Sequence, residues 1–413
     1  MESSEHYDLV VVGGGIGGAA LATVLARAGL GVLVLEKSTV YRDHVRGEWM
    51  APWGVRELKT LGLYEEVLAG GGHHLKRHWS CDEGVPHADA IARTLDLSAV
   101  VPDVSGPLCI GHPRHCQLLI DLAAASGATV RRGVSDVRVE PGSVPEVEYV
   151  FEGERHRARG RLVAGADGRG SQVARRVGIE LERDPTHHLF SGMLVEGAHG
   201  WPEDLQVTGS EKDVHYLAFP QGNGRVRLYL GYSCDQPRRL AGAGGPAAFL
   251  EAFRLESVPG SEHLSGAEAA GPCHSYPNED TWSDVLHRDG VFLVGDAAGS
   301  NDPIIGQGLS ITMRDVRLVR DALLGEKDWS RDDLLVEYAE ERRERMRRLR
   351  FSAALMSILQ NEFGEEAVAR RHRALERQMR DPILLFPFIA TFIGPETPPA
   401  EAFDPSIRER LFD

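Results

Sequence analysis

The chain has 413 residues, 42% hydrophobic and 26% charged, which is long enough for two or three subdomains of a globular protein. A net charge of −15 argues against nucleic acid and anionic lipid as partners, since neutralising phosphates takes a basic surface. Its five cysteines are scattered and form no C-x-x-C pair, which argues against a disulfide framework or a zinc site and fits a reducing cytoplasm.

Met1–Asp8 is polar and acidic, so no secretory leader or transit peptide is expected. The apolar run Leu9–Val12 then meets glycines at 13, 15 and 18, the G-x-G-x-x-G spacing. Ala19–Ala28 reads as a helix of small residues, Val32–Leu35 as a buried parallel strand, and Glu36 closes the unit. In such a unit Gly13 allows the tight turn, Gly15 lets backbone approach a pyrophosphate, and Gly18 lets helix pack on sheet. Free N–H groups and the helix dipole face the phosphates, and a carboxylate at the next strand end accepts from a ribose. This segment is the mark of an adenine dinucleotide site.

Tyr41–Glu48 is polar and basic, and Val55–Leu68 has helical periodicity. Residues 70–108 read as strands and loops, Arg114–Ala125 as a helix and Ala128–Arg132 as a strand. Val134–Leu162 alternates like an antiparallel meander and leads into the turn Ala164-Gly165-Ala166-Asp167-Gly168. Period-2 patterning returns from His187 to Cys234, with a hairpin expected around Gln221-Gly222-Asn223-Gly224. Its first arm puts His215, Leu217, Phe219 and Gln221 on one face, and its return arm Arg227 and Tyr229.

Val291–Val294 is an apolar strand that delivers Asp296 to the mouth of a sheet, where an Asp can accept from the hydroxyls of a sugar-alcohol chain. Asp302-Pro303-Ile304-Ile305-Gly306-Gln307-Gly308 follows, a loop whose glycines let backbone lie flat beside a ligand ring. Helices are expected over Ile311–Leu324, Asp332–Gln360 and Glu365–Arg380, with Glu341–Arg350 as a solvated basic face. Ile383–Ile393 is apolar but too short for a membrane span and reads as a buried helix or pocket lid. His44, His73, His74, His112, His115, His187, His188 and His215 show no metal-ligand spacing, so no metal is expected.

The order G-x-G-x-x-G…E, GADG and GDAA…DP-x-x-GQG, over residues 7 to about 325, resembles the class A flavoprotein monooxygenases, the para-hydroxybenzoate hydroxylase family. The resemblance implies an α/β fold: a Rossmann-like (GR2-type) FAD-binding domain, an inserted antiparallel β-sheet substrate domain and C-terminal helices. Residues 1–75, 108–180 and 285–325 would form the first, 76–107 and 181–284 the second, and 326–413 the helical region. It implies FAD as the cofactor, with Gly13, Gly15, Gly18, Glu36 and Lys37 at the ADP half. Arg46 would meet a phosphate or the flavin edge, Arg114 would contact FAD, and Asp167 belongs to a second pyrophosphate motif. Asp296 would hold the ribityl chain, and Pro303, Gly306 and Gly308 would line the isoalloxazine ring.

The chemistry implied is NAD(P)H-driven reduction of FAD and insertion of one atom of O2, through a flavin C4a-hydroperoxide, into an aromatic small molecule. Where the hydroxybenzoate enzymes present an Arg to the substrate carboxylate, this chain has Phe219, Pro220 and Gln221, which favours a larger polyketide- or indole-type aromatic. Phe219, Gln221 and Tyr229 are the candidate substrate contacts, and His215 and Tyr229 the candidate proton-handling residues. Arg46-Gly47-Glu48-Trp49 and the late DP element also resemble flavin-dependent halogenases and the geranylgeranyl-reductase-like group, although no W-x-W occurs here.

Overall fold

Strand Glu5–Val12 turns through Gly13 into helix Ile16–Arg27, and the chain returns as strand Val32–Glu36, all five of whose residues are buried. The structure, a computed structural model, describes residues 5–45, 47–237 and 239–413. Arg46, expected at a phosphate or the flavin edge, lies outside the described residues.

Among the described residues two eight-stranded sheets organise the fold. In the first, 287–288, 291–293, 154–165, 5–12, 32–36 and 129–132 lie side by side. Strand 5–12 runs parallel to both 154–165 and 32–36. The expected meander is the hairpin extension of this sheet, with 146–151 antiparallel to 154–165 and 135–140 antiparallel to 146–151. Its faces are covered by helices Ile16–Arg27, His112–Ala125 and Gly308–Gly325, and the small residues of the first helix sit in the largest apolar core.

The second sheet runs 268–269, 188–196, 225–233, 214–222, 205–211, 77–80 and 95–96, with 274–278 also paired to 188–196. Its central hairpin forms where alternation placed it, joining Val214–Gly222 to Arg225–Ser233. Asn223 and Gly224 both take positive φ, 57° and 69°, as a two-residue turn matched to strand twist requires. One face packs on a core containing Phe249 and Phe253, and the other faces the first sheet's loops.

The helical pattern over Val55–Leu68 divides into Pro52–Thr60 and Tyr64–Ala69. Gly62, at φ 68°, ends the first helix, and the Leu63 N–H closes back on the Leu58 carbonyl at 3.1 Å. The solvated basic face expected at 341–350 is only partly so, because Arg342 and Arg345 are buried. Both grip the buried Asp315 of helix Gly308–Gly325, at 3.0 and 2.7 Å. Asp315 also accepts from the Gly295 N–H at 2.9 Å, and Arg342 donates to the carbonyls of Gly295, Ala298 and Gly299. This ionic knot fixes the loop that carries Asp296. No helix among the described residues is long and apolar enough to cross a membrane.

Candidate active site

A cavity of about 1380 Å³ runs from the glycine turn, past Asp296 and the Pro303–Gly308 loop, to the inner face of the second sheet. Small-molecule pockets usually enclose roughly 300–1,000 Å³, so this one has room for an extended ligand and a second molecule.

At the first end each glycine has its own reason. Gly13 has φ 106°, and a Cβ there would lie 2.3 Å from the Ala166 carbonyl oxygen. A Cβ on Gly18 would lie 2.0 Å from the Gly13 carbonyl oxygen. A Cβ on Gly15 would meet no described atom within 4 Å, so the space above that backbone is open to a ligand. Glu36 is buried and accepts from the Gly14 and Ser38 N–H groups, both at 2.7 Å. One lone pair on each of its oxygens remains for a ribose hydroxyl. Lys37 stands exposed at the rim.

Asp167 lines the cavity while accepting from Gln172 N–H at 2.7 Å and Ser171 Oγ–H at 2.5 Å, so it also caps the short helix Gln172–Arg176. Asp296 is half-buried on the wall, 3.4 Å from Arg169 Nε. The next loop turns at Gly306, φ 65°, and its helix begins at Gly308, above which a Cβ would meet nothing within 4 Å. Pro303, Gly306 and Gly308 all line the cavity. Gln307 is pinned beside them, its Oε1 accepting from the buried Trp53 indole at 2.8 Å.

The opposite wall is the second sheet. His215, Leu217, Phe219 and Tyr229 line the cavity from one face, as alternation predicts. Gln221 does not. The pairing slips between Pro220 and Gly222, and the Gln221 amide donates to Glu48 at 3.0 Å instead. Arg227 is also withdrawn, buried and held by Asp43 at 2.7 Å and by Glu48. Arg114 stands exposed in the first turn of helix His112–Ala125, its guanidinium against Gly71, and the residues its helix gives the cavity are His112 and Cys116. The apolar segment 383–393 forms a 3-10 turn and helix Phe386–Ile393, which gives Phe388, Ile389 and Phe392 to the wall.

Burial keeps His215 and Tyr229 on this wall neutral. His215 is pushed down to about 4, and its Nδ1 lies 2.8 Å from the Gly209 carbonyl, so Nδ1 carries the proton and Nε2 is the acceptor. Burial raises the Tyr229 phenol well above its ordinary value. Burial also pushes Asp302, ahead of Pro303, up to about 7. Sequence reasoning passed over Trp49, His78 and Gln206, which share this wall, and the Asp315 knot behind the loop.

These residues fit FAD: open backbone over Gly15 and Gly308, a strand-end carboxylate at Glu36, and Asp296 midway. Fold and site together define a flavoprotein oxidoreductase with the architecture of the class A monooxygenases. The chain belongs to the FAD binding domain family, which it matches over residues 6–353. It is 29% identical over 322 residues to digeranylgeranylglycerophospholipid reductase 1 of Methanococcoides burtonii, covering 75% of this chain and 72% of the relative. To rifampicin monooxygenase of Streptomyces venezuelae it is 27% identical over 376 residues, 88% of this chain and 74% of the relative. The solved structure of p-nitrophenol 4-monooxygenase PnpA from Pseudomonas putida shares the fold at TM-score 0.75 and 18% identity, covering 99% of each chain.

Proposed function

We propose that this chain is an NAD(P)H-consuming, FAD-dependent monooxygenase that places one oxygen atom of O2 on an aromatic or polycyclic secondary-metabolite-type substrate. The observation that carries this is the single cavity joining the dinucleotide end to an aromatic-lined sheet face. Gly13, Gly15, Gly18 and Glu36, with Asp167 and Lys37, would hold the ADP half, and Asp296 the ribityl hydroxyls. Pro303, Gly306 and Gly308 would flank the ring, where the N-terminus of helix Gly308–Gly325 favours negative charge. Bound FAD, once reduced by a nicotinamide, supplies the activation of O2.

The chain's own part is to orient the substrate and keep water out. Phe219, Leu217 and Tyr229 present an apolar ceiling, and the segment 385–392 closes the far side. His215, neutral with Nε2 unprotonated, can accept a hydrogen bond or a proton from a substrate hydroxyl, while Tyr229 stays a phenol and donates. The cysteine pattern supports a cytoplasmic setting.

The test is product mass after turnover of the FAD-loaded protein with NADPH or NADH and a panel of polycyclic aromatics under ¹⁸O₂. One labelled oxygen per product, with O2 uptake matching nicotinamide oxidation, supports the reading. Turnover that proceeds without O2 and saturates a double bond would instead support a reductase, the reading favoured by similarity to the Methanococcoides enzyme.

A further inference from the structure

Four side chains on the substrate wall form one hydrogen-bonded line. Trp49 packs over Gly306, so it stands at the bed proposed for the flavin ring. Its Nε1–H donates to Gln206 Oε1 at 2.9 Å. Gln206 Nε2 lies 3.1 Å from His78 Nδ1, and His78 Nε2 lies 3.0 Å from Ser80 Oγ. Gln206 and His78 are register partners on neighbouring strands, and Ser80 follows two residues on, on the same face.

The donor logic of this line has one solution. An indole N–H can only donate, so Trp49 fixes the Gln206 oxygen toward itself and the amide N–H toward His78. His78 Nδ1 must then accept, which leaves the ring proton on Nε2, donated to Ser80. The Ser80 hydroxyl therefore turns its own proton away from His78. Ser80 is exposed and lines the cavity beside the exposed Leu95, so that donor stands at the rim. The line runs from the flavin bed to the rim and ends in an O–H that no described residue accepts.

The rest of this wall lacks charge. Among the described residues, those that the second sheet and the segment 356–392 give to the cavity include no Lys, Arg, Asp or Glu. Arg227, on the central hairpin of the sheet, is held by Glu48 and Asp43. A carboxylate buried against that wall, away from the rim, would lose its water and meet no cation, at high cost.

We propose that this line is the specificity-determining element of the site and that it selects an uncharged polycyclic aromatic carrying a carbonyl oxygen, which accepts from Ser80 at the rim while the far ring lies by Trp49. Ser80 touches the substrate; Gln206 and His78 are positioning residues that orient its hydroxyl. The inference rests on the monooxygenase reading of the cavity and concerns binding, so it is tested apart from turnover.

The experiment titrates FAD-loaded protein by calorimetry with xanthone, carbonyl-free xanthene and xanthone-2-carboxylate. A neutral hydrogen bond predicts that xanthone binds about three- to ten-fold more tightly than xanthene, and more tightly than the carboxylate. Ser80→Ala should erase the xanthone preference and leave xanthene within about two-fold of wild type. Ser80→Thr should restore it, and Gln206→Leu should erase it although Ser80 remains. Equal binding of xanthone and xanthene, no binding of either, preference for the carboxylate, or a preference that survives in Ser80→Ala would each overturn the proposal. Failure of the wild-type chain to take up FAD would instead strike the functional reading.

Discussion

Two glycines three residues apart in the first turn should respond to the same small substitution in opposite ways. In Gly18→Ala the new methyl lies 2.0 Å from the Gly13 carbonyl oxygen and 3.0 Å from Val11 Cγ1. The oxygen cannot give way easily, because Gly13 is itself tied to the Leu35 carbonyl at 2.8 Å. Overpacking of this kind costs about 1–3 kcal/mol, and a backbone obstacle puts it at the upper end. In Gly15→Ala the methyl meets nothing, and the backbone at φ −70°, ψ −169° suits any residue. The free chain should therefore keep its stability within about 0.5 kcal/mol. What Gly15→Ala should lose is ligand linkage. At FAD a hundredfold above its Kd, wild type gains about 2.7 kcal/mol, and a methyl in pyrophosphate space should remove most of it. Urea midpoints of flavin-stripped protein, with and without added FAD, measure both effects. A Gly15→Ala protein that keeps the full FAD-induced shift, or that is as unstable without flavin as Gly18→Ala, would refute the reasoning.

Asp296→Ala should cost under about 1 kcal/mol of stability, since the half-exposed pair with Arg169 is weak, yet reduce FAD affinity at least tenfold in a flavin-fluorescence titration. Asp315→Asn leaves Arg342 and Arg345 buried opposite a neutral amide. It should destabilise by about 3–5 kcal/mol in a denaturant titration, and FAD retention should fall as the 295–299 loop loosens. His115 is buried with neither ring nitrogen partnered among the described residues, and burial holds it at about 3. Between its unfolded value near 6.5 and that depressed value the unfolded chain takes up a proton that the folded chain refuses. Its contribution is therefore whole above about pH 6.5 and is lost as the pH falls toward 3. His115→Phe should remove that slope and, at pH 5, gain about 2 kcal/mol over wild type, read as the difference in melting behaviour between pH 7 and pH 5.

The dinucleotide turn was legible because each of its glycines answers a demand made within a few residues, and the same is true of the Asn223-Gly224 hairpin and its alternating face. The place of Asp296 on the cavity wall was legible because a short buried strand ends just before it. Contacts made over long separations were not legible. Trp49 reaches Gln206 across 157 residues and Gln206 reaches His78 across 128, with no local pattern linking them. Gln221 left the expected face through a one-residue slip, the error to which period-2 reasoning is most exposed. Arg342 and Arg345 looked like surface charges because their partner, Asp315, lies on a different helix. Arg114 is exposed with its guanidinium beside Gly71, a neighbour 43 residues away that no local pattern supplies.

The segment shared with the FAD-binding family ends at residue 353, whereas Phe388, Ile389 and Phe392 come from beyond it. Part of the cavity wall is thus built by a stretch that the family match does not reach. Phe392 also meets Trp49 edge-on, so that tail helix rests on the same indole that covers Gly306.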